Sequence, residues 1–432
     1  MKMANMDDYF DVVIIGTGAA GLYCALNLPA RYRILLLTKQ KADESDSFLA
    51  QGGICMQHGE ADYRPFFDDT MRAGHYENNP ATVDLMIRSS NSIIRDLVRR
   101  GVRFARDDHG ALRFTREGAH SRPRILFHED ITGHEITQTL LNEVLRCENI
   151  ELREHTTLLD FFADASACGG VIAAGPDGEP RAIGAGAVVL ACGSIGGLYK
   201  NSTNFPHITG DAIAIALRHG VACEHLDYIQ IHPTTLYSHR KGRRFLISES
   251  VRGEGALLLD KNGNRFTNEL QPRDVVSAAI RAQMEKDGTD HVWEDMRPIG
   301  EAAIREHFPN ILERCEEEGY DPIHEPIPVV PAQHYFMGGI TADLSSRTAL
   351  PRLYACGETC CNGVHGRNRL ASNSLLESLV FAQRAADDIL YGEPPVFTGD
   401  KPDLAPYREQ EPLFAAYRQE VLTAIERSKN HE

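Results

Sequence analysis

Val12-Val13-Ile14-Ile15-Gly16-Thr17-Gly18-Ala19-Ala20-Gly21 is the stretch that decides the fold of this chain. Four consecutive branched apolar residues describe a strand buried on both faces, as in a parallel sheet; a strand with one wet face would alternate. The glycines that follow have the spacing G-x-G-x-x-G, and residues 22–28 continue with helical patterning until Pro29 stops it. A second apolar run at 34–37 completes a strand–helix–strand unit. In such a unit the first glycine makes the tight turn and the second lets backbone approach a pyrophosphate. The third brings helix against strand, and the helix N-terminus offers N–H donors to the phosphates. The sequence therefore predicts an α/β fold that opens with a Rossmann-like dinucleotide domain. The acidic residue that usually closes the second strand on a ribose is replaced by Thr38-Lys39, which argues against a simple NAD site.

Outward from this unit, helical periodicity covers 81–100 and 133–147, and a strand follows at 150–152. Ala187-Val188-Val189-Leu190 reads as a buried strand ending in the small-residue turn Ala191-Cys192-Gly193-Ser194. Leu353-Tyr354-Ala355-Cys356-Gly357-Glu358 has the same character far downstream, so the first domain is left and then re-entered. The intervening stretch has its own turn at Lys261-Asn262-Gly263-Asn264 and a proline-rich exit at 322–331. It predicts an inserted α+β domain. A helix at 378–390, a linker at 392–395 and a charged helical tail at 406–432 complete the chain. The resulting division is 1–230 with 333–395 as one discontinuous domain, 231–332 as the insertion, and 396–432 as a short helical tail.

The 432 residues include 45 Lys+Arg and 61 Asp+Glu, a formal charge of −16, with 42% hydrophobic and 25% charged residues. This is ordinary globular composition and excludes a disordered, fibrous or disulfide-scaffold protein. The negative balance argues against nucleic acid or an anionic membrane as the main partner. The 10 cysteines are scattered without paired C-x-x-C spacing, which suits free thiols in a reducing cytoplasm. The uncharged run 12–30 is broken by glycines and Pro29, and Asp7, Asp8 and Asp11 precede it where a signal peptide would be basic. A soluble, cytoplasmic protein is expected.

Several segments are richer in Gly, His, Arg and Asn than packing requires. In order they are Ser47-Phe48-Leu49-Ala50-Gln51-Gly52-Gly53, Arg116-Glu117-Gly118-Ala119-His120-Ser121, His232-Pro233-Thr234 and Ser248-Glu249-Ser250-Val251-Arg252-Gly253-Glu254-Gly255. Pro272-Arg273-Asp274, His334-Tyr335-Phe336-Met337-Gly338-Gly339, Gly357-Glu358 and Asn368-Arg369-Leu370-Ala371-Ser372-Asn373-Ser374-Leu375 follow. Singly, each histidine or arginine is unremarkable; as an ordered series behind G-x-G-x-x-G they are specific. Together they resemble the flavoprotein subunits of succinate dehydrogenases and fumarate reductases, and within that family the L-aspartate oxidase branch, over about residues 10–395.

The resemblance implies a Rossmann-like FAD-binding domain interrupted by a capping domain, with FAD extended over the former. Gly16, Thr17, Gly18, Ala19, Ala20 and Gly21 would meet the pyrophosphate, and Lys39 would replace the ribose acid. Ser47, Gln51, Gly52 and Gly53 would lie along the flavin, and Thr157 and Leu158 near the adenine. Asp211 and Glu358 would hold the ribityl and phosphate region, with Ser374 and Leu375, at a helix start, at the pyrimidine edge. Relatives often attach the flavin covalently through a histidine five residues before the Gln of Gln-Gly-Gly. Here that residue is Asp46, which implies non-covalent FAD and favours the aspartate oxidase branch.

The implied substrate is a four-carbon dicarboxylate, held by His232, Ser248, His334 and Arg369, the arginine fork matching a carboxylate bidentately. Arg273 matches the family's acid/base arginine, with Glu249 and Arg252 as the relay behind it. Deprotonating an arginine near pH 7 costs roughly 7 kcal/mol, so donating a proton to fumarate is its natural direction. Glu117 discriminates: it would face the α-ammonium of L-aspartate, which succinate and fumarate lack, and would repel a dicarboxylate without one. The implied reaction is oxidation of L-aspartate to iminoaspartate by hydride transfer to flavin N5, with O2 or fumarate as acceptor. No metal is implied. The product would feed quinolinate synthase on the way to NAD; a soluble fumarate reductase or succinate dehydrogenase flavoprotein is the alternative. Longer relatives carry a further helical domain, expected here to be missing or reduced to one or two helices.

Overall fold

The structure is a computed structural model and describes residues 8–240, 242–392 and 395–430. Glu393 and Pro394 of the expected linker, and the last two residues of the expected tail, lie outside them. The opening unit folds as its pattern dictates: strand Tyr9–Ile15, helix Ala19–Asn27 and strand Ile34–Leu37, the two strands parallel. They sit in a seven-stranded sheet ordered Ile150–Arg153, Ile34–Leu37, Tyr9–Ile15, Pro180–Leu190, Cys168–Ala174, Thr157–Ala163, with Leu353–Ala355 paired to Pro180–Leu190. The last pairing is parallel and sets Leu353 beside Val188 and Ala355 beside Leu190, so the two similar strand ends become neighbours.

Both faces of this sheet are covered, which is why its strands are apolar throughout. Val12 and Ile14 enter a core with helices Ala19–Asn27, Pro80–Arg100, Thr132–Val144 and Asn373–Tyr391. Phe10, Val13 and Ile15 enter the opposite core, with helix Asp211–Arg218 and Tyr417, Val421 and Ile425 of helix Gln410–Lys429. That terminal helix is docked: Tyr417 donates its hydroxyl proton to the Leu159 carbonyl at 2.6 Å. The helix expected to reach 147 ends at Val144, where the chain turns to enter strand Ile150–Arg153. The antiparallel pair Thr157–Ala163 and Cys168–Ala174 was not foreseen, because Gly169 and Gly170 depress strand propensity. Gly170 is tolerated where the neighbouring backbone closes in: a Cβ there would lie 2.1 Å from the Ile183 carbonyl oxygen.

Residues between these halves build a second, antiparallel sheet, ordered Ile229–Leu236, Ile327–Phe336, Val292–Asp295, Leu257–Leu259. It has its own core with helices Arg273–Asp287 and Pro309–Glu317. The strands that enter and leave this unit pair with each other, Ile229 opposite Phe336 and Leu236 opposite Val329, so its two chain connections run side by side. It is tied down again by Asp130, which accepts the Ile311 backbone N–H at 3.0 Å and the Asn310 side chain at 2.5 Å. Among the described residues, no helix is long and apolar enough to cross a membrane.

The tight turn after Tyr9–Ile15 needs glycine in a specific sense. Gly16 has φ +111°, and a Cβ there would sit 2.1 Å from the Ala191 carbonyl oxygen; a Cβ on Gly21 would sit 2.0 Å from the Gly16 oxygen. Gly16→Ala is expected to lower stability by roughly 2–5 kcal/mol, from left-handed backbone strain plus overpacking. Urea denaturation of the apo-protein, compared with wild type, measures it.

Candidate active site

One continuous cleft of about 410 Å³ runs from the glycine turn to the junction of the two units. Its near end is lined by Gly16, Thr17, Gly18 and Ala20, then Lys39, Thr157, Leu158 and Asp211. Its middle holds Ser47, Gln51, Gly52, Gly53, Glu358, Ser374 and Leu375, and its far end Glu117, His232, Ser248, Glu249, Arg273, His334 and Arg369. Three expected residues stand back from it. Ala19 spends its N–H on Ser47 Oγ at 3.0 Å, Gly21 packs on Gly16, and Arg252 is buried behind Glu249.

The near and middle parts fit a flavin dinucleotide on several observations. Gly18 caps helix Ala19–Asn27 without a side-chain bond, leaving donors at its N-terminus. Thr17 Oγ1, Ser45 Oγ and Gln51 Oε1 are buried without partners, a cost that bound polar groups remove. Lys39 is not a free cation: its Nζ bonds Asp211 at 2.6 Å, Thr209 and the His207 carbonyl. Asp46 accepts the Phe205 N–H at 2.9 Å, and burial pushes its carboxyl up to about 7. Burial and the neighbouring Asp46 push Glu358 up to about 8.

The far end is a charge arrangement built by several elements. Arg273 opens helix Arg273–Asp287, and its Nε donates to Glu249, the first residue of helix Glu249–Gly253. Its Nη1 donates to Gln230 Oε1 at 2.8 Å, and that same oxygen accepts from Arg369 Nε at 3.3 Å. Gln230 in turn donates to Asn368 and to the Arg369 carbonyl, both at 2.8 Å. Gln230 was missed from sequence, although it lies two residues before His232 on the same strand, with an irregular pairing between Gln230 and Ile231. Pro233, which has no N–H, falls at the irregular pairing between His232 and Thr235.

Arg369 also donates to Ser374 Oγ, and its Nη2 is buried without a partner. A guanidinium whose named partners here are neutral oxygens is ready for a carboxylate. The rings of His232 and His334, on adjacent strands, lie 5.1 Å apart. Burial and the nearby Arg273 hold both histidines far below the usual range, so they are neutral. His232 Nε2 is buried and unpartnered. Burial opposes the charge of Glu249, but Arg273 and Arg252 outweigh it and hold its carboxyl below the usual range.

Glu117 is the second carboxyl in this end. It is 4% exposed and accepts hydroxyl protons from Ser372 at 2.6 Å and Ser250 at 3.0 Å. Burial and the repulsion of Glu249 raise its carboxyl above the usual range, against those hydroxyls and Arg273. Ser372 caps helix Asn373–Tyr391 with φ +61° and no side-chain bond to that helix, since its hydroxyl is turned to Glu117. His120 and Arg124 brace this loop. Arg124 bonds Asp62, Asp69 and His120 Nδ1, while His120 Nε2 lies 3.0 Å from the Ala371 carbonyl. The arrangement suits a small ligand with two carboxylates and one cationic group.

Residues 11–375 match the FAD binding domain family. The chain is 47% identical over 380 residues to an L-aspartate oxidase of Clostridium perfringens, covering 88% of this chain and 86% of that protein. It is 44% identical over 442 residues to an L-aspartate oxidase of a Nostoc species, covering 98% and 76%. Among solved structures, a variant of E. coli quinol fumarate reductase superposes with a TM-score of 0.83 at 30% identity, covering 95% of this chain and 74% of that one.

Removing the acceptor shared by Arg273 and Arg369 tests this geometry. Gln230→Leu leaves each arginine with an unmet buried donor and is expected to lower stability by roughly 1–3 kcal/mol. Urea denaturation reads the loss, with circular dichroism confirming the fold.

Proposed function

The chain belongs to the L-aspartate oxidase family, and from that membership we propose that it oxidises L-aspartate to iminoaspartate with non-covalently held FAD. The observation that carries the reading is Glu117. A buried carboxyl in the same cleft as Arg273 and Arg369 demands a ligand that brings a cation together with its anionic groups. L-Aspartate has that charge pattern; succinate and fumarate lack the cation. Asp46 supports the non-covalent mode, because a carboxyl cannot make the histidyl link.

FAD, when bound, supplies the hydride acceptor at its N5. Residues proposed to hold it are those lining the near and middle cleft, with Ala19 and Gly21 acting from behind the turn. Arg369, His232, His334 and Ser248 bind the two carboxylates, the histidines as neutral hydrogen-bonding groups. Ionised Glu117 faces the α-ammonium and orients the Cα hydrogen. Arg273, polarised by Glu249 and backed by Arg252, handles the proton at the reacting carbons. The second substrate is O2 or fumarate; fumarate would accept a hydride at one carbon and a proton from Arg273 at the other. The unit spanning 231–332 acts as the cap over this site, beside an FAD domain of 1–230 with 333–395 and a tail of 396–432. Iminoaspartate hydrolyses readily in water, so an enzyme that consumes it, quinolinate synthase on the route to NAD, is the functional partner in a cytoplasmic setting.

Supplying L-aspartate or succinate to the purified protein and following flavin absorbance tests the reading; bleaching by succinate but not by L-aspartate would overturn it. Glu117→Gln is expected to cut kcat/KM for L-aspartate at least about 30-fold, from roughly 2 kcal/mol or more for a broken buried charge pair. The effect on fumarate reduction should be much smaller. Because Glu117 protonates above the usual glutamate range, wild-type affinity for L-aspartate should fall on acidification earlier than an ordinary glutamate would impose. Glu117→Gln should flatten that profile.

A further inference from the structure

The core of the inserted unit contains a carboxyl that the reaction above does not use. Glu294 stands within strand Val292–Asp295, opposite Leu258 on one neighbour and Ile327 on the other. It is 0% exposed, and neither of its oxygens has a hydrogen-bond partner. Arg252, also buried, has Nε and Nη2 without partners, while its Nη1 donates to the Glu269 carbonyl at 2.7 Å. Arg252 Nη2 lies 3.8 Å from Glu249 Oε2, and Glu249 accepts from Arg273. Orphan acceptors and orphan donors are each rare in a protein interior. Here they lie in one core: Arg252 donates to the Glu269 carbonyl, Glu269 accepts the Leu258 N–H, and Leu258 stands opposite Glu294, with no hydrogen bond between Arg252 and Glu294 themselves. A buried water with polar groups on both sides would meet these unmet atoms.

We propose that Glu294 is the inner proton reservoir of the chain Arg273–Glu249–Arg252, joined to Arg252 through buried water, and that it restores the proton Arg273 loses to fumarate. The proposal rests on the dicarboxylate oxidoreductase reading. Reduction of fumarate converts the C=C π bond into two C–H bonds: one carbon takes a hydride, whose electron pair originates in L-aspartate, and the other takes a proton. An Arg273 N–H bond breaks to supply that proton. Glu249 passes a proton to Arg273 as it takes one from Arg252 through water across the 3.8 Å between them, and Arg252 takes one from water as the Glu294 O–H bond breaks. Oxidation of the next L-aspartate releases a proton from its α-ammonium, and the relay run in reverse returns it to Glu294. Because each guanidinium accepts at one nitrogen while releasing at another, no neutral arginine has to persist. Glu294 acts through Arg252 and touches no substrate.

The groups facing Glu294 decide when it holds a proton. Burial raises its carboxyl to about 8, Arg252 works against this, and Glu269, from the turn before helix Arg273–Asp287, works with it. The Cys315 thiol on helix Pro309–Glu317 is also within its field. Glu294 is therefore protonated at neutral pH and loses its proton as pH rises through about 8.

The test is the pH profile, from 6 to 10, of fumarate reduction by the aspartate-reduced holoenzyme and its Glu294→Gln and Glu294→Leu variants. Wild type should slow as pH rises through about 8. Both variants should be about tenfold slower in kcat at neutral pH and lack that inflection, with KM for fumarate and FAD content little altered. Glu294→Leu suits the apolar surroundings and keeps the experiment readable if the amide disturbs folding. Retention of the inflection in the variants would overturn the relay alone. A wild type reduced by L-aspartate but inert toward fumarate would overturn the acceptor reading and the relay with it.

Discussion

The antiparallel pairing of strands Ile229–Leu236 and Ile327–Phe336 is the constraint on which the rest of the structure depends. These are the entry and exit of the inserted unit, and their hydrogen bonds hold its two connections to the FAD-binding part of the chain side by side. The same two strands carry Gln230, His232 and His334. Register and site geometry are thus one fact: a one-residue slip would turn these side chains to the opposite face. The irregularity at Pro233 re-aims the strand just after His232, which a regular ladder would not allow.

Charge is organised locally against the global balance of −16. The far end of the cleft concentrates Arg273 and Arg369, each bound to the one oxygen of Gln230. Two guanidiniums sharing a neutral acceptor keep more of their charge for a ligand than two held by carboxylates. Glu249 balances one of them, and the neutral histidines add hydrogen-bonding capacity without further positive charge. Glu117 is then a deliberate excess of negative charge, kept soluble in the interior by Ser250 and Ser372. Its two hydroxyl partners come from different units of the fold. The acid proposed to face the substrate's cation therefore bridges those units.

The fold was legible to a large extent because parallel sheets write themselves into sequence as unbroken apolar runs. Val12 to Ile15, Ile34 to Leu37 and Val188 to Leu190 became neighbouring strands, and the distant Leu353–Ala355 joined them. The strands at 157–174 were not legible, since their glycines answer to a close backbone approach and not to strand propensity. At the site, residues inside glycine-rich or charged motifs were named from sequence, and most of them line one cleft. Gln230 and Asp130 were not, because an amide or a carboxyl amid ordinary sequence announces nothing until its partners arrive from elsewhere in the chain. Lys39 was legible as a substitution at the ribose position, but its ion pair with Asp211 was not.

By itself the sequence determined the strand–turn–helix that opens the molecule, the interruption of one domain by another, and the inventory of groups available for chemistry. These follow from local rules: periodicity, the steric needs of glycine, and residue type. Only the tertiary structure decided which arginine is paired and which is left open, that the histidines are neutral, and that Glu294 lies unpartnered behind Arg252. Ionisation and pairing depend on burial and on distances between residues far apart in the chain, and those quantities exist only after folding.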